Sequence, residues 1–247
     1  MNLPGSSFPR VIIIGGGFGG IELAKKLRNK EVQVFMIDKH NYHTFQPLLY
    51  QVATGGLEPD SIAFPLRKIF KQQSNFTFRV AEAISVDTTK NELLTSIGNI
   101  SYDYLVIATG SDTNYFGNDE VKMHSMPMKS IPEALDLRSM ILQRFEKALL
   151  TTDKDEQLAL MNFVVVGGGP TGVETSGALA ELKNHVLPKD YPELDIQKMQ
   201  IHLIDSGERL LQSMSVQASE KAAIFLKRMG VNVINEDRVL NYDGNTV

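Results

Sequence analysis

Four β-branched apolar residues, Val11–Ile14, run straight into Gly15–Gly16–Gly17–Phe18–Gly19–Gly20, and helical spacing follows at Ile21, Leu23, Ala24 and Leu27. This asks for a strand, a tight turn and a helix in direct succession. At the spacing of Gly15, Gly17 and Gly20, the first glycine makes the turn and the second lets a pyrophosphate approach the backbone. The third lets helix and strand pack closely. The N–H groups at the positive end of such a helix favour phosphate. A second strand, Val32–Ile37, ends on Asp38, 23 residues past Gly15, near the offset of a carboxylate that holds a ribose hydroxyl pair.

The pattern then occurs again. Phe163–Val166 runs into Gly167–Gly168–Gly169–Pro170–Thr171–Gly172, and Val173, Ala178, Leu179 and Leu182 mark a helix. Gln200–Ile204 is the matching strand and Asp205 ends it, 38 residues past Gly167. The stretch 183–199, with Pro188 and Pro192, explains the longer offset as an extended helix end and loop. Two such sites argue for two nucleotides face to face, and the chemistry that needs both is hydride transfer from a nicotinamide to a flavin. Asp205 favours NAD over NADP, because a carboxylate pairs with free ribose hydroxyls and repels a 2′-phosphate.

Between the repeats, Lys39–Gly56 is aromatic, amide-rich and bounded by glycines, and Pro47 suggests a helix start before Leu48–Val52. By itself this segment reads either as a packed surface loop or as a stretch lying along a flat ligand. Residues 58–73 predict a short helical stretch. Phe76–Val80, Ala83–Val86 and Glu92–Ile97 predict β segments of a small meander, with a turn at Gly98–Asn99. Tyr102–Ile107 reads as a strand whose small carboxyl end, Ala108–Thr109–Gly110, permits close ligand approach. A loop over 111–128, a helix over 132–150, a linker over 151–157, a helix over 216–229 and a strand over 231–234 complete the reading. The fold class is α/β: two Rossmann-like dinucleotide-binding domains with parallel sheets and a β-meander insertion.

Composition narrows the function. The chain has 247 residues, room for one large domain or two smaller ones. The net charge is −4 with both signs scattered, so there is no basic stripe for nucleic acid. No apolar run approaches the ~20 residues of a membrane helix, and Met1–Pro9 has no secretion-signal core. With no cysteine, a disulfide, a thiolate metal site and a redox dithiol are all excluded. The five histidines show no metal-ligand spacing, so no metal is expected.

Gly15–Gly20, Ala108–Gly110 and Gly167–Glu174 together resemble the two-dinucleotide flavoprotein oxidoreductases. More narrowly, Asp38–Ala53, the step from Ala108–Gly110 to Tyr115–Phe116–Gly117, and Gly167–Glu174 are similar to the type II (alternative, non-proton-pumping) NADH:quinone oxidoreductases. The similarity runs from Pro9 onward. It implies FAD at the first site, with Gly15, Gly17, Phe18, Gly19 and Gly20 on the pyrophosphate and Asp38 and Lys39 at the adenosine ribose. It also implies Ala83 near the adenine, and Ala108, Thr109 and Gly110 near the pyrophosphate and ribityl chain. The segment Phe45–Gln51, with Phe45, Pro47, Leu48 and Gln51, would approach the isoalloxazine. Gly167, Gly169, Pro170, Thr171, Gly172 and Asp205 would carry NADH. Gln51 and Glu174 are the implied catalytic side chains, with Glu174 read in the first turn of its helix as a proton relay near the nicotinamide and the quinone.

The resemblance further implies an FAD-binding part over 9–115, a connection over 116–160 and an NADH-binding part over 161–247. The family continues past the length seen here. No Gly-Asp pair supplies its third flavin motif, and its C-terminal quinone motif and amphipathic membrane helices are absent, so the chain reads as a fragment. The implied partners are NADH, a quinone, the membrane surface through that C-terminal segment, and a second copy as homodimer. The implied location is peripheral, on the cytoplasmic face of the inner (plasma) membrane. Two alternatives stay open: an NADH-dependent ferredoxin- or rubredoxin-type reductase, and a non-catalytic NADH-binding regulator.

Overall fold

The structure is a computed structural model that describes residue 5 and residues 7–247. In chain order it begins with β1 (Arg10–Ile14), α1 (Phe18–Lys26), β2 (Gln33–Asp38), β3 (Tyr42–Thr44), α2 (Leu49–Ala53), β4 (Ala63–Pro65) and α3 (Leu66–Ile69). Five strands follow: β5 (Phe76–Val80), β6 (Ala83–Asp87), β7 (Glu92–Thr95), β8 (Gly98–Ser101) and β9 (Tyr104–Ile107). Then come α4 (Asp119–His124), α5 (Ile131–Leu150), α6 (Lys154–Leu160), β10 (Asn162–Val166) and α7 (Pro170–Glu181). The chain continues through α8 (Leu187–Asp190), β11 (Gln200–Ile204), α9 (Val216–Arg228) and β12 (Asn232–Ile234). Two compact units result. One holds the described residues up to Phe45 together with 60–112, and the other holds 46–59 together with 113–247.

The first unit is built on a parallel sheet of order β5-β2-β1-β9. Val11 and Ile13 of β1 and Val34 and Met36 of β2 face one side, where Ile21 and Ala24 of α1 and Leu66 of α3 cover them. Ile12, Ile14, Phe35 and Ile37 face the other side, where Leu93 and Ile100 of the antiparallel β6-β7-β8 meander cover them. With both faces buried, these strands read as continuous apolar runs rather than alternating ones.

Several local expectations change here. Phe76–Val80 is not a meander strand: it is β5, parallel to β2 with Phe76 opposite Val34, and Phe76 stacks on Phe70 at 3.9 Å. Gly98 and Asn99 open β8, and the turn lies at Ser96–Ile97, where the Thr95 hydroxyl donates to the Gly98 carbonyl at 2.6 Å. The helix expected over 58–73 shrinks to α3. Pro59 opens only a 3-10 turn over Pro59–Ser61, Pro65 interrupts the helix, and β4 pairs with β3 instead. The 111–128 loop contains α4, capped by the Asn118 side chain accepting from the Val121 N–H at 3.0 Å. The 151–157 linker gives way to α6, whose cap, Asp153, accepts from the Asp155 and Glu156 N–H groups.

The second unit carries the parallel sheet β10-β11-β12. Phe163, Ile201 and Leu203 from its strands pack with Ile141, Phe145 and Ala148 of α5, Leu179 and Ala180 of α7, and Leu226 of α9. The α5 helix starts one residue before the expected Pro132, on a capping box in which Ser130 and Glu133 satisfy each other's backbone N–H groups. Phe145 is fully buried, 6.0 Å from the Phe163 ring and 5.3 Å from that of Tyr191. Phe145→Ala is therefore expected to cost about 3–5 kcal/mol of stability, measurable as a fall in the urea midpoint at unchanged slope.

Candidate functional site: two glycine turns and the seam between α2 and α7

Each parallel sheet ends, on its carboxyl side, in a glycine turn, and the two turns match in detail. Gly15 and Gly167 both have φ of +107°, a left-handed conformation that disfavours any side chain. A Cβ on Gly20 would overlap the Gly15 carbonyl oxygen, and one on Gly172 would overlap that of Gly167. These third glycines are what let helix and turn lie in contact. The middle glycines of each run are pressed from outside. A Cβ on Gly16 would come within 2.6 Å of Leu66, and one on Gly168 within 2.6 Å of Leu210. Gly17 and Gly169 are different, since a Cβ there meets nothing within 4 Å. Both are the N-caps of their helices, α1 and α7, and no side chain caps either. The first-turn N–H groups therefore lie beside an open face, and a phosphate-bearing nucleotide fits there.

The two acids occupy equivalent places. Asp38 accepts from the Gly16 N–H at 2.6 Å and from the His40 N–H at 2.7 Å. Asp205 accepts from the Gly168 N–H at 2.5 Å and from the Gly207 N–H at 2.7 Å. Each carboxylate thus braces its glycine turn from the end of the neighbouring strand. At the same carboxyl edges, Ile107 and Val166 remain more than half exposed. Open α/β sheets take ligands at that edge.

The other expected residues fall as follows. Lys39 pairs with Glu82 at 2.8 Å, and that hydrogen bond and charge raise its pKa. Both side chains are more than half exposed, so the pair adds little stability. Ala83 opens β6. Ala108 follows β9, and its N–H donates to the Ile14 carbonyl at 2.8 Å beside Gly15. Thr109 and Gly110 continue from it, exposed. Phe18, the first residue of α1, meets His43 and Phe45 edge-on at 4.9 and 5.5 Å. Pro170 and Thr171 start α7, and the Thr171 carbonyl accepts from the Thr175 hydroxyl at 2.7 Å.

Phe45 belongs to the first unit, whereas Pro47, Leu48 and Gln51 belong to the second. Pro47 lies inside a 3-10 turn, Gln46–Leu48, and α2 begins only after it, at Leu49. The α2 helix packs on α5 and α7, which brings the environments of Gln51 and Glu174 together. Glu174 is the fifth residue of α7, so it stands in the second turn rather than the first, and the N-terminal dipole acts on it only weakly.

Sequence reasoning missed three contributors, His43, Leu66 and Leu210, and took in Tyr50 only as part of the Phe45–Gln51 segment. His43 Nδ1 lies 3.1 Å from the Gly16 carbonyl oxygen, placed to donate to it. Leu66 and Leu210 press on the two turns from distant elements, and nothing in their local sequence announces it. Tyr50 accepts a hydrogen bond from the Gln51 amide at 3.0 Å, on the helix that packs against α7. Its place beside Gln51 was the available signal.

Comparison with known proteins agrees with this geometry. The chain is 38% identical over 242 residues to the type II NADH:quinone oxidoreductase Ndh of Mycobacterium tuberculosis, covering 96% of this chain and 52% of that protein. It is 33% identical to the mitochondrial external alternative NAD(P)H-ubiquinone oxidoreductase B3 of Arabidopsis thaliana, over 91% of this chain and 41% of that one. Among solved structures, NDH2 from Plasmodium falciparum in complex with NADH superposes with a TM-score of 0.88 at 27% identity, over 96% of this chain and 49% of that chain. The chain thus spans about half the length of the curated relatives it matches. The family model described as pyridine nucleotide-disulphide oxidoreductase matches residues 9–247, nearly the whole chain including both glycine turns, and the chain belongs to that family.

Proposed function

We propose that this chain carries the two nucleotide sites of a type II NADH:quinone oxidoreductase, FAD in the first unit and NADH in the second. The observation that carries the reading is the duplicated turn, whose open positions, Gly17 and Gly169, each lie at an uncapped helix start. The similarity to relatives named for NADH and quinone supports it. These 247 residues hold no cysteine, so no redox disulfide forms among them.

FAD, when bound, supplies the two-electron chemistry between NADH and the quinone. The chain's own residues position and shield. The N–H groups of Phe18, Gly19 and Gly20 meet the flavin pyrophosphate, and the Asp38 carboxylate keeps lone pairs for ribose hydroxyls beyond its two backbone bonds. Lys39 and Ala83 lie toward the adenosine end, and Ala108–Gly110 and Phe45 line the rest. Gly169, Pro170, Thr171 and Gly172 meet the NADH pyrophosphate, and Asp205 rejects a 2′-phosphate. Pro47, Leu48, Gln51 and Glu174, all of the second unit, would be the side chains offered to the reacting rings. In function, residues 9–115 form the FAD part, although 46–59 and 113–115 pack in the second unit, with 116–160 the connection and 161–247 the NADH part.

A quinone acceptor is dissolved in lipid, so the proposed enzyme would work as a peripheral protein at a membrane surface, and we assign it to the cytoplasmic face. No helix of the described residues is long and apolar enough to cross one.

The test is an anaerobic titration of the FAD-loaded chain. NADH is expected to bleach the flavin band, and a short-chain quinone is expected to restore it. Recovery by ferredoxin or rubredoxin in place of quinone would support a protein-acceptor reductase. No bleaching would leave a nucleotide-binding regulator.

A further inference from the structure

One hold distinguishes the two glycine turns. Each middle glycine is gripped through both of its peptide groups. On the N–H side the grip is a carboxylate in both, Asp38 for Gly16 at 2.6 Å and Asp205 for Gly168 at 2.5 Å. On the carbonyl side the grips differ. The Gly168 carbonyl accepts from the Leu211 backbone N–H at 2.8 Å, whereas the Gly16 carbonyl meets His43 Nδ1 at 3.1 Å. In the second turn one stretch does two jobs: the Leu210 side chain presses on Gly168 and the next N–H holds its carbonyl. In the first turn the jobs are split across the β3–β4 hairpin. Leu66, just past β4, presses on Gly16, and His43 of β3 reaches its carbonyl.

A carbonyl oxygen only accepts, so this bond needs the proton on Nδ1. The hairpin and α1 fix the imidazole for that task. His43 stands opposite Phe64 in the β3–β4 pairing, and its ring meets Phe18 edge-on at 4.9 Å. The Leu66 N–H donates to the Asn41 carbonyl at 2.9 Å and ties the end of β4 to the start of the hairpin.

We propose that His43 is a positioning residue for the first nucleotide site, whose Nδ1–H holds the peptide between Gly16 and Gly17 in the orientation that the nucleotide meets. Its importance for FAD rests on the first-site reading above. A trans peptide is planar, so a carbonyl turned toward His43 turns the Gly17 N–H to the opposite side. Both residues flanking that peptide are glycines, which leaves it free to rotate once the hold is removed. The second turn has no such dependence, because its donor is main chain. Retention at the first site thus hangs on one imidazole, and retention at the second does not.

The hold has a signature that needs no cofactor. Which ring nitrogen carries the proton is set by the hydrogen bonds of the imidazole. In the 247-residue chain with ¹⁵N-labelled histidine at alkaline pH, the His43 signal is the one lost in His43→Phe, and it is expected to show the Nδ1–H tautomer. An Nε2–H signal overturns the hold, since Nδ1 would then have no proton to give. The Gly17 amide resonance is expected to shift in His43→Phe and to return toward the parent in His43→Asn, whose short amide still donates. The Gly169 amide is expected to stay in place in both variants.

FAD affinity supplies the second reading. His43→Phe keeps a ring against Phe18 and removes the donor, so it is expected to weaken FAD binding about tenfold, the loss of one hydrogen bond. His43→Asn is expected to recover affinity to within about threefold of the parent. NADH affinity is expected to be unchanged in both. FAD affinity indifferent to His43→Phe, or as weak in His43→Asn as in His43→Phe, overturns the positioning role. Should His43→Phe fail to fold, the parent's tautomer and the affinity of His43→Asn still decide. If the parent binds no FAD while the Nδ1–H tautomer and the Gly17 shift both appear, the proposed function falls and the hold stands.

Discussion

Gly20→Ala is expected to destabilise the first unit by at least about 3 kcal/mol, at the upper end of what overpacking costs. The added methyl group would overlap the carbonyl oxygen of Gly15, which is backbone and cannot rotate aside. That carbonyl is fixed in turn, because Gly15 sits at φ +107° and its N–H donates to the Ile37 carbonyl at 2.8 Å. Relief would require α1 to lift from β1, uncovering Val11, Ile13 and Ala24. Gly172→Ala should do the same to the second unit, where the overlap is with the Gly167 carbonyl. Urea unfolding followed by circular dichroism measures both. A midpoint within experimental error of the parent for either variant would show that the turn relaxes more easily than its geometry allows.

Gly17→Val should behave in the opposite way: unfolding close to the parent, and FAD affinity reduced on the order of a hundredfold or more. Gly17 has φ −76° and ψ −171°, ordinary extended backbone, and a side chain there meets no protein atom. It occupies instead the space beside the uncapped N–H groups of α1. Hydrogen bonds to charged groups contribute about 1.5–3 kcal/mol each. Blocking two of them is enough for that loss, at about 1.4 kcal/mol per tenfold in affinity. Gly169→Val should weaken NADH binding in the same way and leave FAD retention intact, because its turn belongs to the other unit. Flavin fluorescence after gel filtration reads the first effect, and NADH titration of the flavin-loaded protein reads the second. The pairing of Gly17 with Gly20, three residues apart in one turn, separates a ligand role from a packing role. Loss of folding in Gly17→Val, or retained FAD, would contradict the assignment.

Much of this architecture is legible in the sequence. The two strand–turn–helix units, their terminal acids, the long α5 and α9 helices and the β-meander follow from local pattern. Where the expectations differ from the fold, the causes are local too. Pro65 and the pairing of β4 cut the expected helix at 58–73, and the side chains of Asn118 and Asp153 cap helices in stretches that read as polar loops. Phe76–Val80 looks like its neighbours in the chain. Only partner choice, β2 on one side of the parallel sheet, distinguishes it from a meander strand.

The sequence by itself determined where the two glycine turns lie and which residue in each is left-handed, packed or open. Those properties depend on backbone sterics and on residues within a few positions of one another. Tertiary structure alone decided that the carboxylates of Asp38 and Asp205 brace the turns, that Leu66 and Leu210 press on them, and that 46–59 joins the second unit. The last of these packs α2, which carries Tyr50 and Gln51, on α7, which carries Glu174 more than a hundred residues away. Burial of Leu49, Val52 and Ala53 holds α2 there, and a hydrophobic contact depends on which surfaces meet, which no window along the chain records.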